Sequence, residues 1–170
     1  MTVEEIPAAV RPRYALTAHE QVTILSATPE RLLAEVRYSA GGREPPLHLH
    51  PQQDERFEVL SGALRVTLDG RLLTVAAGES VAIPRGAAHR MAPVGPEGAT
   101  ARWSTTPALR TEQWWSELAA LRERCGGDPP LPALARLLRE FDGEFRLALP
   151  RFVALPPVRL LAALPAGRGA

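Results

Sequence analysis

Residues 42–62 read GREPPLHLHPQQDERFEVLSG, and the reading of the whole chain starts from this stretch. His48 and His50 stand two apart, so in a strand both imidazoles leave the same face. Glu55 follows a break of Pro, Gln and Asp that is long enough to turn the chain and return a carboxylate beside them. A second segment, GESVAIPRGAAH at 78–89, delivers His89 after Pro84 and Gly86. On its own, a His-x-His pair reads as two polar residues on the wet face of a sheet. With Glu55 and His89 added, it becomes a set of nitrogen and oxygen donors suited to a divalent transition metal.

Working outward, the flanking sequence alternates with a period of two. Leu32, Ala34, Val36 and Tyr38 face one way and Leu33, Glu35 and Arg37 the other, which predicts a strand over 31–39 after one over 21–26. Further strands are predicted at 47–50, 55–60, 63–68, 71–75, 80–83, 89–92 and 100–105, with Asp69-Gly70 as the strongest hairpin signal. Gly62 and Gly78 stand at strand junctions where a positive φ is expected. Many short strands separated by turns argue an all-β antiparallel sandwich or barrel.

The two histidine segments resemble the two signature motifs of the cupin superfamily. Gly42, His48, His50, Glu55 and Gly62 occupy the fixed positions of the first motif. Gly78, Pro84, Gly86 and His89 occupy those of the second, whose closing asparagine is replaced here by Pro93. The resemblance runs from about Gln21 to Thr106. It implies an antiparallel double-stranded β-helix, or jelly-roll barrel, with one metal ion held by His48, His50, Glu55 and His89. Asparagine is not a ligand in the family, so Pro93 leaves that set intact. The metal is Fe, Mn, Ni, Co or Zn, because the donor set does not discriminate among them.

Beyond Pro107 the period changes. Trp114, Leu118, Leu121 and Cys125 fall on one face of a helix, with Thr111 as the expected N-cap and Gly126 as the stop. Cys125 reads as a small buried residue at the helix end rather than a nucleophile. A second helix over 131–141 places Leu131, Leu134, Leu138 and Phe141 on one face. Trp114 and Trp115 read as packing residues, with closure of the barrel mouth as the alternative. Residues from Phe145 onward lack acids, and arginines and prolines interrupt their apolar runs, which rules out an ordinary transmembrane span. The expected organisation is an N-terminal arm at 1–18, a cupin barrel at 19–108 and a C-terminal α-helical extension at 109–170.

The 170 residues carry a formal net charge of +1, which gives no general attraction to nucleic acid, and no basic stripe accompanies the helices. All of the basic residues are arginine, so a lysine Schiff base is excluded. A single cysteine and an N-terminus without a basic, apolar leader lead to the expectation of a cytoplasmic protein. The apolar stripes of 111–165 exceed what one small barrel is expected to cover, which predicts a homodimer.

Phe57 and Val59 share parity with Glu55, and Met91 with His89, so these three are the expected lining of a small-molecule pocket. The resemblance implies a metal-dependent enzyme for a small organic substrate. Dioxygenase-type oxidation of an enol or polyphenol-like molecule, with Glu55 as the catalytic base, is the leading expectation. A non-redox cyclase or isomerase for a polyketide-like or sugar-like substrate is the alternative, and a non-catalytic binding cupin the competing class.

Overall fold

The longest strand, β5 (Asp54–Leu68), belongs to both faces of the barrel in this computed structural model, which describes residues 7, 10–42 and 44–148. Its first half pairs with β7 (Ser80–Ile83) and β9 (Ala99–Thr106). Its second half pairs with β6 (Arg71–Ala76) and β8 (His89–Pro93). β9 continues through β3 (Leu32–Tyr38) and β2 (Glu20–Ala27) to β1 (Arg13–Ala15), while β8 continues to β4 (His48–Leu49) and β10 (Arg146–Leu147). Every pairing is antiparallel, and the sheet curls into a half-barrel.

How one strand serves two faces follows from its packing. Glu55, Phe57 and Val59 are buried at odd positions, whereas Leu64 and Val66 are buried at even ones. The parity switch sits where the register against β9 shifts between Val59 and Ser61, a bulge that turns the strand without exposing either apolar set. The sequence pattern splits this strand at Gly62; the structure instead runs through it. Gly62 has φ 71°, and a Cβ there would lie 2.3 Å from the carbonyl oxygen of Gly98, so the crossing needs a residue without a side chain. Asp69 and Gly70 have φ 46° and 79°, the positive pair that a tight hairpin turn requires.

Two short strands are absent from the sequence pattern. β1 lies inside the predicted arm and pairs with β2 of the same chain, with Tyr14 opposite Val22. β10 lies inside the extension and pairs with β4, with Leu147 opposite His48.

The extension forms α1 (Thr111–Cys125) and α2 (Leu131–Glu140). Arg110 rather than Thr111 is the N-cap of α1, because the Thr111 hydroxyl accepts a hydrogen bond from Gln53 Nε2 at 2.7 Å. Gly126 ends α1 with φ 65°, as its sequence position suggests. Trp115 and Phe141 are fully buried against the barrel. Burial of Phe141 contributes about 1.5–3 kcal/mol, which the ten-residue α2 that it caps needs because so short a helix is marginal alone. Cys125 is exposed, contrary to expectation, since the last turn of α1 runs past the core. Trp114, Leu118, Leu121, Leu138 and Phe141 of the apolar stripes pack into the core of the same chain, whereas Leu131 stays exposed. The arginine- and proline-rich run expected at 149–165 lies outside the described residues. No helix among the described residues is long and apolar enough to cross a membrane.

Candidate metal centre

The site is assembled from both halves of the barrel. β4 and the residue after it carry His48 and His50, β8 opens with His89 directly opposite His48, and β5 supplies Glu55. The ligating atoms of the three imidazoles all lie within 4.8 Å of one another. Glu55 Oε2 approaches His50 Nε2 at 3.3 Å and His89 Nε2 at 3.2 Å. The four residues named from sequence therefore converge, with Glu55 seated on the His50 and His89 side.

Each ring is held in one tautomer. His48 Nδ1 is 2.9 Å from the carbonyl oxygen of Pro46, His89 Nδ1 is 3.1 Å from that of Ala87, and His50 Nδ1 is 2.6 Å from that of Glu144. A carbonyl oxygen only accepts, so each Nδ1 carries a hydrogen and each ring turns its Nε2 to the centre. Burial, reinforced by the neighbouring His89 and His50, lowers the His48 pKa to about 3, which keeps that ring neutral at pH 7.

The Glu55 carboxylate is fixed by Trp103, whose indole N–H donates to Oε1 at 2.9 Å. Burial raises its proton affinity, but His50, His89 and His48 together outweigh burial and bring the pKa to about 2. Oε2 is left buried without a hydrogen-bond partner. A buried ionised oxygen costs several kcal/mol unless something compensates it. An unsatisfied carboxylate oxygen facing three imidazole lone pairs fits a divalent transition-metal ion.

Above the centre is a cavity of about 640 Å³. Its floor includes His48, His50, His89, Phe57, Met91 and Trp103. Its roof comes from the extension, with Trp114, Trp115 and Leu118 from α1 and Leu134 and Leu138 from α2. Val59, the third expected lining residue, is not on this wall; it is buried one pair further along β5. Leu131, Leu134 and Leu138, which periodicity reads as a packing face, line the cavity, and Leu131 is 67% exposed at its rim.

Two polar residues of the wall escaped the sequence reading. Glu20 shares the inward parity of Val22 and Ile24 at the start of β2, and it pairs with Tyr38, whose hydroxyl donates to Met91 Sδ at 3.4 Å. Burial first, and then the charge of Glu55, raise the Glu20 pKa to about 7. Burial with Glu20 and Glu55 pushes Tyr38 well above the ordinary phenol value. The available signal was a charged residue in inward register, one position before the predicted strand.

An antiparallel half-barrel of this topology, with a three-histidine cluster and a neighbouring glutamate, defines the class of fold. Residues 34–104 match the family model described as "Cupin domain", which puts the barrel of this chain in the cupin superfamily. An RmlC-like cupin from Shewanella frigidimarina superposes with TM-score 0.57 at 18% identity, over 65% of this chain and 96% of its own. KdgF from Halomonas sp. gives 0.56 at 18% identity, over 65% and 99%. Pac13 from Streptomyces, described as a nucleoside dehydratase, gives 0.54 at 12% identity, over 65% and 88%. These likenesses establish the fold. Among curated proteins, the oxidoreductase iacF of Pestalotiopsis fici is 47% identical over 55 residues, which is 32% of this chain. The chain thus spans about a quarter of that relative's length, the matched share being 27%.

Proposed function

We propose that the protein is a metal-dependent oxidoreductase for a small, largely apolar molecule of enol or polyphenol type. The observation that carries the reading is the position of the histidine–glutamate cluster at the floor of an apolar, aromatic-walled cavity large enough for a compact polycyclic or polyketide-like substrate. The family match and the oxidoreductase relative support it.

His48, His50, His89 and Glu55 would hold the ion, which when bound supplies a Lewis-acidic, redox-capable centre for a deprotonated substrate oxygen. The chain does the rest. Phe57, Trp103 and the helical roof exclude water and orient a flat ring system. Glu55, with its low proton affinity, suits a permanent anionic ligand and is a poor base. Glu20 projects into the same cavity with a pKa near working pH, so in this reading the base role passes to it. Its carboxylate takes the proton from the substrate hydroxyl or acidic C–H.

The Glu20–Tyr38 pair also favours a second reading, a non-redox isomerase or cyclase, because a carboxylic acid and a phenol can move protons without oxygen. Turnover of an enol and polyphenol panel by protein reconstituted with Fe(II), Mn(II), Co(II), Ni(II) or Zn(II) separates the readings. Stoichiometric oxygen uptake supports the oxidoreductase, and unchanged turnover under argon supports the isomerase. No turnover in either atmosphere leaves the binding module.

A further inference from the structure

Two of the three imidazoles carry their own outer partners. The acceptors for His48 and His89, the carbonyls of Pro46 and Ala87, lie two residues away in the same loops. His50 is different, because its acceptor, the carbonyl of Glu144, is 94 residues distant in the chain. That contact is one of several made by the segment after α2. The Phe145 ring stacks on His48 at 4.6 Å and 19°, and meets His50 edge-on at 5.8 Å. β10 pairs with β4, and the Ala148 N–H donates to the Leu47 carbonyl at 2.9 Å.

The segment is pinned from its outer side. The Arg110 guanidinium reaches both carboxylate oxygens of Glu144 at 3.2 Å and donates to the Glu140 carbonyl at 2.8 Å. It also lies 4.5 Å over the Phe141 ring. The Glu144 side chain is buried, so its charge is held where its own carbonyl meets His50. Arg110 therefore acts on the centre through one residue.

We infer that residues 140–148 form a strap that is a working part of the metal centre, positioning the imidazoles of His48 and His50 so that the helical extension and the ion bind cooperatively. The inference rests on the metal reading above. Without the strap, His50 loses the acceptor that keeps a hydrogen on Nδ1 and Nε2 turned to the centre, and His48 loses the ring that limits its rotation. Loss of such outer partners typically weakens metal binding about 10–100-fold. Coupling is reciprocal, so an ion that is held better with the strap docked also holds the strap more firmly.

The test uses the full chain and the metal alone. Co(II) is titrated into wild type, Phe145→Ala, Arg110→Met and Val75→Ala by visible absorption, with Zn(II) affinity measured by chelator competition. Val75 is buried in β6, away from the strap, and controls for general destabilisation. The expected result is about 10–100-fold weaker binding and an altered Co(II) spectrum for Phe145→Ala and Arg110→Met. Phe145→Tyr should restore both, and Val75→Ala should match wild type. Hydrogen exchange of 141–148 should slow when Zn(II) is added, a readout that stands even if Phe145→Ala fails to fold. Wild-type affinity and spectrum in Arg110→Met, or exchange of the strap indifferent to the ion, overturns the inference while leaving the centre intact. Wild type that binds neither ion overturns the centre and the strap together.

Discussion

Replacing Glu55 with glutamine tests the donor arrangement at one atom. The Trp103 indole N–H points at Oε1 from 2.9 Å and needs an acceptor. In Glu55→Gln the amide oxygen must therefore take the Oε1 place, and the NH2 group takes the Oε2 place, about 3.3 and 3.2 Å from the Nε2 atoms of His50 and His89. An amide NH2 has no lone pair for a metal, and its hydrogens engage the lone pairs of two other ligands. The substitution thus removes one anionic donor and obstructs two neutral ones. Its cost should reach at least the upper end of an outer-partner loss, about 100-fold in affinity. At saturating ion, a hundredfold change is about 2.7 kcal/mol of linked stability, or about 5–10 °C in Tm for a chain of this length. The assay is the rise in Tm on adding excess Zn(II), compared between wild type and variant. The double variant with Trp103→Phe frees the amide to turn its oxygen inward, so it should regain part of the metal-induced rise. A single variant with the full wild-type rise would refute the donor geometry.

The other expectations are of different kinds. Glu20 holds its proton in the folded chain between its ordinary value of 4.5 and about 7, facing Tyr38 and coupled to Glu55, so stability falls as pH rises through that window. Glu20→Gln should remove the fall, gaining on the order of 1–3 kcal/mol over wild type at pH 8 in urea unfolding. It should also abolish the rising limb near pH 7 in a rate profile. Gly62→Ala drives a Cβ into backbone and should cost more than about 3 kcal/mol. Gly78→Ala has open space and only its φ of 87° to strain, and should cost about 1–2 kcal/mol. For the dimer expected from the apolar stripes of 111–165, sedimentation at micromolar concentration should give two chains, and a monomer refutes it.

The barrel was legible because its signals are local. Alternation marked β2, β3 and β9, Asp69-Gly70 marked the β5–β6 hairpin, and fixed spacing identified four residues that do converge. What escaped depends on contacts far apart in sequence. β10 has two residues and exists through β4, and the Glu144 carbonyl leaves no trace in composition. The helical stripe was visible, but period alone does not tell a packed face from a cavity wall: Leu131 and Leu134 line the cavity without joining the core, while Leu138 does both. Cys125 continued the Trp114, Leu118 and Leu121 face of α1 past the point where there was anything to pack against. Glu20 was lost to a boundary drawn one residue late, which is where strand limits are least certain.

The parity switch in β5 sets a rule for how this segment tolerates change. Leu60 is 41% exposed, and exchanging it for a polar residue costs little packing. Deleting Leu60 or Ser61 is another matter, since unbroken alternation would return across the join. Leu64 and Val66 would then take the parity of Glu55 and Phe57 in one regular strand, and the extra residue that bends β5 from one face of the barrel to the other would be gone. Between Val59 and Gly62, the number of residues therefore sets the bend of β5, so a library that varies length there changes how the strand passes between its two sets of partners, whereas one that varies side chains at Leu60 leaves that bend in place.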